Sequence, residues 1–398
     1  MLELCGKLVE ETSSKIVLAV MDGLGGLPRE DGKTELEAAR TPQLDDLARR
    51  SECGLLDAVG PGISPGSGPG HLALFGYDPV RYEVGRGVLS ALGLGFELGK
   101  NDLAVRVNFC TVDSDGKVVD RRAGRIATER NKELCEKLRS IRIPGVEIFI
   151  LTEAEHRACV IFRGAGLEEG VADTDPQAEG KFPLAPVALR PEAKRASEVT
   201  AEFLRQAARI LKDEHPANML LMRGFAKFPT WPSLADLFKL KAAAIATYPA
   251  YRGMARLVGM TILDPGKTLA DEVAVLEANL ASYTYLFLHF KYTDKYGEDG
   301  NFDAKVHAIE EFDALLPKVL NCKPDVIAIT GDHSTPWLMK KHSWHPSPVL
   351  IHSKYARWGF SRAFSERECA TGSLGRLAAV HLMPLLLAHA GKLEKFGA

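Results

Sequence analysis

Features of secreted and membrane-spanning proteins are missing from this 398-residue sequence. Its seven cysteines are widely spaced and contain no CxxC pair, which is typical of isolated thiols in a reducing compartment and not of a disulfide framework or thiolate zinc site. No apolar run reaches the ~18 residues of a membrane span, and the first 15 residues carry three glutamates instead of a signal-peptide core. We therefore expect a cytoplasmic protein without a membrane partner.

An excess of charge of one sign is missing as well. The net charge is −2, although 26% of the residues are charged. Because a nucleic-acid-binding domain would concentrate a basic surplus on one face, we expect no nucleic-acid partner. Glycine is abundant, with 36 residues that are concentrated between Gly54 and Gly99. The length favours two or three domain-sized units, or one large core that carries an insertion.

Short apolar runs alternate with helical patterns along much of the chain. Strands are predicted at 15–21, 53–59, 284–290, 325–333 and 347–353, and helices at 41–51, 302–320 and 372–390. In the first of these helices, Thr41 is predicted as the N-cap. The alternation predicts an α/β fold in which helices flank a mostly parallel sheet. Functional groups of such a sheet lie at the carboxyl ends of its strands.

A central segment interrupts this alternation. Strand-like alternation surrounds a DSDG turn at 113–116, which indicates a β-hairpin, and a long helical pattern follows at 192–215. We therefore expect residues 101–229 to form an inserted α+β cap that binds substrate. Residues 1–100 and 230–398 are expected to form the core.

A serine in a Gly/Pro-rich loop is the first candidate for chemistry. Ser67 lies in PGSGPGH, where neighbouring glycines leave room for a large anion beside the hydroxyl and the backbone amides. A helix predicted to begin near Gly70 would direct its positive N-terminus to the same place. Since serines in such loops are usually turn residues, Ser67 alone does not establish a nucleophile.

Carboxylates and imidazoles follow several of the predicted strands. Asp22 follows the first strand, and the other candidates are Asp294, Glu298, Asp332, His333 and His342. Taken singly, each is also typical of a turn or a surface loop. Together they suit two divalent ions that hold phosphate oxygens on both sides of an in-line displacement. Mixed oxygen and imidazole ligation favours Mn²⁺, Mg²⁺ or Zn²⁺ over a thiolate-preferring metal.

The ordered set of motifs resembles the archaeal-type, cofactor-independent phosphoglycerate mutases of the alkaline phosphatase superfamily. The motifs include MDGLGG (21–26), PGSGPGHLALFGYDP (65–79), HFKYTDKYGEDGNFDAK (289–305), GDHSTP (331–336) and HSWHPSPVL (342–350). They cover nearly the whole chain in order. The resemblance implies an alkaline-phosphatase-like core and an isomerase that interconverts 3-phosphoglycerate and 2-phosphoglycerate through a phosphoserine. It also implies two divalent metals and no requirement for 2,3-bisphosphoglycerate.

The resemblance also implies roles for individual residues, with Ser67 as the nucleophile. The first metal site would consist of Asp22, Ser67, Asp332 and His333. The second would consist of Asp294, Glu298 and His342. His71, in the serine-loop motif, would orient the phosphate. The family usually has histidine where this chain has Glu298, so we expect a preference for Mn²⁺ or Mg²⁺ over Zn²⁺.

Arginines are the predicted substrate clamp, because a guanidinium holds a carboxylate or phosphate through two parallel hydrogen bonds. The predicted substrate-binding arginines are Arg125, Arg157, Arg223 and Arg252, with Arg121 and Arg122 as further candidates. A solvated surface position is the alternative for any one of them. Asp173 and Asp175 are predicted to act as the base for the substrate hydroxyl, and a plain polar loop is the competing interpretation.

Two other functions stay open at this point. A metal-dependent phosphohydrolase, or a phosphotransferase acting on another small hydroxy or amino acid, would keep the chemistry and change the acceptor. Exclusion of water by the cap would favour the mutase, because an exposed phosphoserine hydrolyses. A catalytically degenerate binding or scaffold protein is supported only by Glu298. The expected partner is a small-molecule substrate, and the sequence leaves the oligomeric state open.

Overall fold

The computed structural model of the protein describes residues 2–357, 359 and 361–397. Its strands are β1 (Ile16–Met21), β2 (Glu52–Asp57), β3 (Asp102–Val112), β4 (Val118–Asp120), β5 (Glu147–Ala154), β6 (Arg157–Arg163), β7 (Met219–Ala226), β8 (Ala242–Ala246), β9 (Thr261–Leu263), β10 (Tyr285–Phe290), β11 (Val326–Thr330), β12 (Ser347–Ser353) and β13 (Gly375–Ala378). Its α-helices are α1 (Leu2–Leu8), α2 (Glu35–Ala38), α3 (Pro42–Arg49), α4 (Ser67–Leu74), α5 (Arg86–Gly93), α6 (Thr128–Leu138), α7 (Lys194–Leu211), α8 (Leu234–Phe238), α9 (Pro249–Leu257), α10 (Leu269–Asn279), α11 (Tyr292–Asp299), α12 (Phe302–Asn321), α13 (Glu366–Cys369) and α14 (Leu382–His389). Short 3₁₀-helices lie at Ala123–Arg125, Pro191–Ala193, Leu280–Ser282 and Ala379–His381.

The chain divides into two units. Unit 1 comprises Met1–Glu83 and Trp231–Ala398, and unit 2 comprises Val84–Thr230. The sequence placed the insertion boundaries at 100/101 and 229/230. Helix α5 accounts for the different first boundary, because it packs on β3 and β7 of unit 2. The role of unit 2 as a substrate-binding cap stays a prediction.

Unit 1 contains an eight-stranded sheet in the order β13-β2-β12-β11-β1-β10-β8-β9. Strand β1 pairs in parallel with β10 and β11, and every residue of β1 is buried. Strand β12 runs antiparallel to both of its neighbours. The continuous apolar runs of the central strands follow from helix packing on the sheet, as where Val17 and Ala19 share a core cluster with Ile309 of α12. The predicted α/β class with a mostly parallel sheet is confirmed.

The carboxyl ends of three neighbouring strands carry the predicted ligands. Asp22 follows β1, Asp294 lies in the first turn of α11 after β10, and Asp332 and His333 follow β11. Since β10, β1 and β11 are parallel neighbours, these ends adjoin one another. Side chains that are far apart in the sequence therefore meet at one edge of the sheet.

Unit 2 is built on an antiparallel sheet in the order β4-β3-β6-β5, with β7 also pairing with β3. One face of β3 presents Leu103, Val105 and Val107 to a core that includes residues of α6 and α7. Arg106, between them in sequence, therefore points to the opposite face. This α+β arrangement differs from the parallel sheet of unit 1.

Thr41 is the N-cap residue of α3, as predicted, although its side chain makes no capping hydrogen bond. The Asp313 carboxylate accepts from the backbone N–H groups of Gln43 (3.3 Å) and Leu44 (2.7 Å) instead. One local prediction is wrong. The predicted helix at 372–390 begins as strand β13, which pairs in parallel with β2, and becomes α-helical at Leu382. Tertiary pairing overrides the local pattern there. None of the helices in the described residues is long and apolar enough to cross a membrane.

Candidate functional site

Ser67 is the first residue of α4. The sequence predicted that this helix begins near Gly70. It begins three residues earlier, which places Ser67 itself at its amino end. The unpaired N–H groups of the first turn make that end favourable for an anion. The helix lies directly against the loop after β11, because a Cβ on Gly70 would come within 2.4 Å of the carbonyl oxygen of Asp332. Ser67 Oγ lies 3.3 Å from Nε2 of His333.

Asp22, Asp332 and His333 form the first candidate metal cluster, and their ligand atoms all lie within 4.8 Å of one another. Nε2 of His333 is 3.2 Å from Oδ1 of Asp22 and 3.3 Å from Oδ2 of Asp332. Both of these carboxylate oxygens are buried and accept no well-aligned hydrogen bond from the described residues. Because uncompensated buried carboxylate oxygens are costly, this donor set fits a divalent cation.

Asp294, His333 and His342 form the second candidate cluster, so His333 belongs to both. The rings of His333 and His342 stack with their centroids 3.7 Å apart, and Nε2 of His342 lies 3.6 Å from Oδ1 of Asp294. Glu298 stands at the margin of this cluster. Its Oε1 is 3.9 Å from Nε2 of His342, and 55% of its side chain is exposed. Burial of the rest and the charge of Asp294 raise the pKa of Glu298.

Hydrogen bonds at Nδ1 orient both histidines. Nδ1 of His342 donates to the carbonyl oxygen of Pro65 (2.9 Å). Nδ1 of His333 lies 3.0 Å from Oγ1 of Thr335, whose hydroxyl donates to Oδ1 of Asp294 (2.6 Å). Since that hydroxyl has one proton, Nδ1 of His333 is the donor to Thr335, and Nε2 of each ring faces the carboxylates.

The charges at the first cluster act strongly on its histidine. Burial alone would lower the pKa of His333, but the negative charges of Asp332 and Asp22 outweigh burial and raise the pKa to about 9. In turn, burial would raise the pKa of Asp22, but the nearby imidazoles of His289 and His333 and the charge of Lys291 hold it well below its usual range. Asp22 is therefore an ionised carboxylate that is available to a cation.

Comparisons with known proteins point to one family, and the sequence relatives cover nearly the whole chain. The family model of the 2,3-bisphosphoglycerate-independent phosphoglycerate mutases matches residues 48–218. A probable 2,3-bisphosphoglycerate-independent phosphoglycerate mutase of Thermus thermophilus is 54% identical in an alignment that covers 98% of each chain. The corresponding protein of Thermotoga petrophila is 52% identical and covers 100% of this chain and 99% of its own. The chain belongs to the 2,3-bisphosphoglycerate-independent phosphoglycerate mutase family.

Solved structures are consistent with this membership in the mutase family. The cofactor-independent phosphoglycerate mutase of Thermoplasma acidophilum is 32% identical, with a TM-score of 0.74 over 95% of this chain and 100% of its own. The PH0037 protein of Pyrococcus horikoshii is 30% identical, with a TM-score of 0.84 over 97% and 99%. The resemblance predicted from the motifs is confirmed, and with it the isomerase class.

Lys291 is a site residue of this mutase-family chain that the sequence analysis missed. Its Nζ lies 3.0 Å from Oδ2 of Asp22, contacts Oδ2 of Asp294 and lies 3.3 Å from the hydroxyl of Tyr251. Burial opposes the charge of Lys291, but the two carboxylates outweigh burial and raise its pKa. Its position three residues before Asp294, at the start of a helix, was the available signal.

His71 and His289 lie behind the first cluster, and both are fully buried. Nδ1 of His71 donates to the carbonyl oxygen of Ser67 (2.8 Å) and lies 3.0 Å from Oδ2 of Asp332. Nε2 of His289 lies 3.4 Å from Oδ2 of Asp22. His71 was predicted to orient the phosphate, and in this structure it contacts the serine backbone and a ligand carboxylate. His289 gave no sequence signal, because a histidine within an apolar strand is usually a core residue.

Three arginines share one face of the unit 2 sheet. Arg106 is paired across the sheet with Arg223, and Arg157 with Asn108, two residues further along β3. Because alternate residues of a strand share a face, the three guanidinium groups lie on the same side. Burial and the positive charges of Arg157, Arg122, Arg106 and Arg125 lower the pKa of the neighbouring His156 to about 4. Of the predicted arginines, Arg125 and Arg157 are thus among the charges that act on His156. Arg223 lies beside Asp173 and Asp175, whereas Arg252 lies on α9 of unit 1.

The two predicted base candidates differ in their surroundings. Asp175 is buried and accepts two hydrogen bonds from Arg121 (2.9 and 2.7 Å), and Arg223 lies 3.4 Å away. Burial would raise the pKa of Asp175, but the bonds from Arg121 and Gln177 lower it. Asp173 accepts from the backbone of Gly224 (2.8 Å), and 39% of its side chain is exposed. Asp175 therefore positions arginines, while Asp173 keeps a carboxylate oxygen accessible.

Proposed function

We propose that this protein interconverts 3-phosphoglycerate and 2-phosphoglycerate through a phosphorylated Ser67, as a cytoplasmic enzyme of glycolysis and gluconeogenesis. One observation carries the proposal. The Ser67 hydroxyl stands at the amino end of α4 and 3.3 Å from His333, the residue that belongs to both candidate metal clusters. Seven free cysteines, six of them buried, agree with a reducing compartment.

The proposed metal ligands follow from the two clusters. Asp22, Asp332 and His333, with the Ser67 hydroxyl, would hold one divalent ion. Asp294 and His342 would hold the second, with Glu298 at its margin. When bound, such ions polarise phosphoryl oxygens and neutralise the charge that develops on them. Mn²⁺ and Mg²⁺ are the preferred candidates, because most of these ligands are carboxylate oxygens.

The proposed reaction consists of two in-line displacements. Oγ of Ser67 attacks the phosphorus, the bond between phosphorus and the 3-oxygen of glycerate breaks, and the serine loses a proton while the departing 3-oxygen gains one. The 2-hydroxyl then attacks the phosphorus of phosphoserine and loses its proton to a base, while the P–Oγ bond breaks and Oγ of Ser67 regains a proton. N–H groups of the first turn of α4 stabilise the equatorial oxygens at each step. Asp173 is the proposed base, because its carboxylate is accessible.

Unit 2 is proposed to recognise the substrate. Arg106, Arg157 and Arg223 present guanidinium groups on one face of its sheet, and a small acid that carries both a carboxylate and a phosphate suits such a face. Two hydrogen bonds to Asp175 orient the guanidinium of Arg121 before substrate binds. Substrate binding would therefore cost little side-chain entropy at Arg121. A phosphohydrolase with the same nucleophile is the second candidate, and it would release inorganic phosphate from phospho-Ser67.

The test is conversion of 3-phosphoglycerate to 2-phosphoglycerate by purified protein with Mn²⁺ and without 2,3-bisphosphoglycerate. We expect wild-type turnover and none from Ser67→Ala. Ser64→Ala is the matched control, because Ser64 is an exposed serine of the same loop, and it should keep activity. Phosphate release is measured in parallel. Release without isomerisation would establish the hydrolase, and turnover by Ser67→Ala would refute the nucleophile.

A further inference from the structure

A buried lysine joins the two loops that carry the candidate ligands. Lys305 lies on α12 and is completely buried. Its Nζ donates to the carbonyl oxygens of Gly23 (3.0 Å) and Gly25 (3.1 Å) in the loop after β1, and of Thr335 (2.9 Å) in the loop after β11. An ammonium group has three protons, so these carbonyls satisfy all of its donors.

Glu35 is the acidic partner of Lys305. It is also completely buried, and its Oε1 lies 3.3 Å from Nζ of Lys305. Oε1 accepts from the backbone N–H of Trp337 (2.9 Å) and Oε2 from that of Leu27 (3.1 Å). One ion pair, which we call the Lys305–Glu35 clamp, therefore binds backbone groups of both loops.

The clamped loops hold every residue of the two metal clusters except Asp294, which lies on α11. Asp22 directly precedes Gly23, and Thr335 binds both His333 and Asp294 through its hydroxyl. The loops also touch directly. The N–H of Thr335 donates to the Gly23 carbonyl (3.2 Å). A Cβ on Gly25 would lie 1.9 Å from Oγ of Ser334. A shift of one loop therefore displaces the other.

A buried ion pair contributes little net stability, because desolvation of the two charges offsets their attraction. A stable fold therefore does not explain why a lysine occupies a core-facing position of α12. Metal ligands, by contrast, require accurate placement, and residues that orient them have large effects on affinity. The position of the clamp matches this second requirement.

We propose that the Lys305–Glu35 clamp is a positioning device that sets the spacing of the two candidate metal clusters. Removal of Lys305 then weakens divalent-metal binding at both clusters together. This inference rests on the proposed function, because it requires that divalent ions bind there. The hydrogen bonds of Lys305 go to backbone carbonyls and its ion pair goes to Glu35, so it acts on the metal ligands through the loops.

The test is a titration of Mn²⁺ into the full chain, in which binding is monitored by calorimetry and by electron paramagnetic resonance. The main variant is Lys305→Met combined with Glu35→Gln, so that no unpaired charge is left buried. Lys392→Met is the matched control, because Lys392 is also completely buried and donates to Thr12, away from the clamped loops. We expect the double variant to bind both ions about tenfold more weakly or worse, with an altered Mn²⁺ spectrum.

Unfolding temperatures in EDTA separate positioning from general destabilisation. The double variant should lose no more stability in EDTA than Lys392→Met, which should keep wild-type Mn²⁺ affinity. Equal loss of affinity in both would overturn the clamp, as would unchanged affinity in the double variant. Glu35→Gln alone, which retains Lys305 and one acceptor oxygen, should lose less Mn²⁺ affinity than the double variant. Wild-type Mn²⁺ affinity in Glu35→Gln would also count against the clamp. If the wild type binds no Mn²⁺, the proposed function itself is wrong.

Discussion

Glu298→His is the substitution whose effect follows most directly from the charges of the site. With two divalent ions, the four charges of Asp22, Asp294, Asp332 and Glu298 balance those of the metals and leave the positive charge of Lys291. A neutral histidine at 298 makes the site one unit more positive. A unit charge ~5 Å from a phosphate oxygen contributes about 3 kcal/mol at an effective dielectric of 20 and about 1 kcal/mol in water. Because 55% of the Glu298 side chain is exposed, we expect the lower part of this range. The expected gain is about 1–2 kcal/mol, or roughly five- to thirtyfold in phosphate affinity.

The assay measures KM for 3-phosphoglycerate and the affinities for Mn²⁺ and Zn²⁺ by calorimetry. We expect Glu298→His to lower KM and to shift preference toward Zn²⁺, because imidazole replaces a carboxylate oxygen. Asp299→His is the control, since it changes the charge at the next residue of α11, an exposed position outside both clusters. Unchanged KM and unchanged metal preference in Glu298→His would refute this reasoning. An equal change in Asp299→His would show a general charge effect instead.

Two further predictions concern other buried charges. Lys291→Met should tighten Mn²⁺ binding by about tenfold, because the ammonium competes with the metal for Asp22 and Asp294, and calorimetry that shows weaker binding would contradict this. Burial and Asp271 raise the pKa of Glu272 to about 8 from 4.5, so its burial opposes folding increasingly as pH rises between these values. Glu272→Gln should therefore gain stability over wild type from pH 5 to pH 9, by at most about 5 kcal/mol, and a gain in thermal unfolding that does not grow with pH would refute this.

The site residues that directly follow buried strands could be predicted from the sequence. The apolar runs before Asp22 and Asp332 read as central parallel strands, and the parallel pairing of β1 with β11 brings these carboxylates together. Ser67 could be predicted from its glycine-rich loop, although the predicted start of α4 was three residues too late. The sharing of His333 between two clusters could not be predicted, because it depends on how the segment between β11 and β12 folds back to stack the rings of His333 and His342.

Buried residues that carry charge were the hardest to predict. Lysine and aspartate are usually exposed, so Lys305 and Asp313 read as surface residues of an amphipathic helix. Both lie on the core-facing stripe of α12, which also contains Ile309, Phe312 and Leu316. A charged residue at an apolar position of a helical pattern was therefore the available signal, and at both positions the charge binds backbone groups of a neighbouring segment.

These exceptions to the pattern share a physical cause. A charge in the core opposes folding unless several partners satisfy it, so a position that keeps one has the partners already in place. Lys305 satisfies this through three carbonyls and Asp175 through Arg121, and each of them fixes the geometry of groups that the proposed reaction needs. At Lys305 and Asp175, stability has therefore been exchanged for accurate placement of the loops around β1 and β11 and of the arginine-bearing face of unit 2. Burial of a charge does not mark a site by itself, because Glu272 and Lys392 are buried away from the candidate ligands.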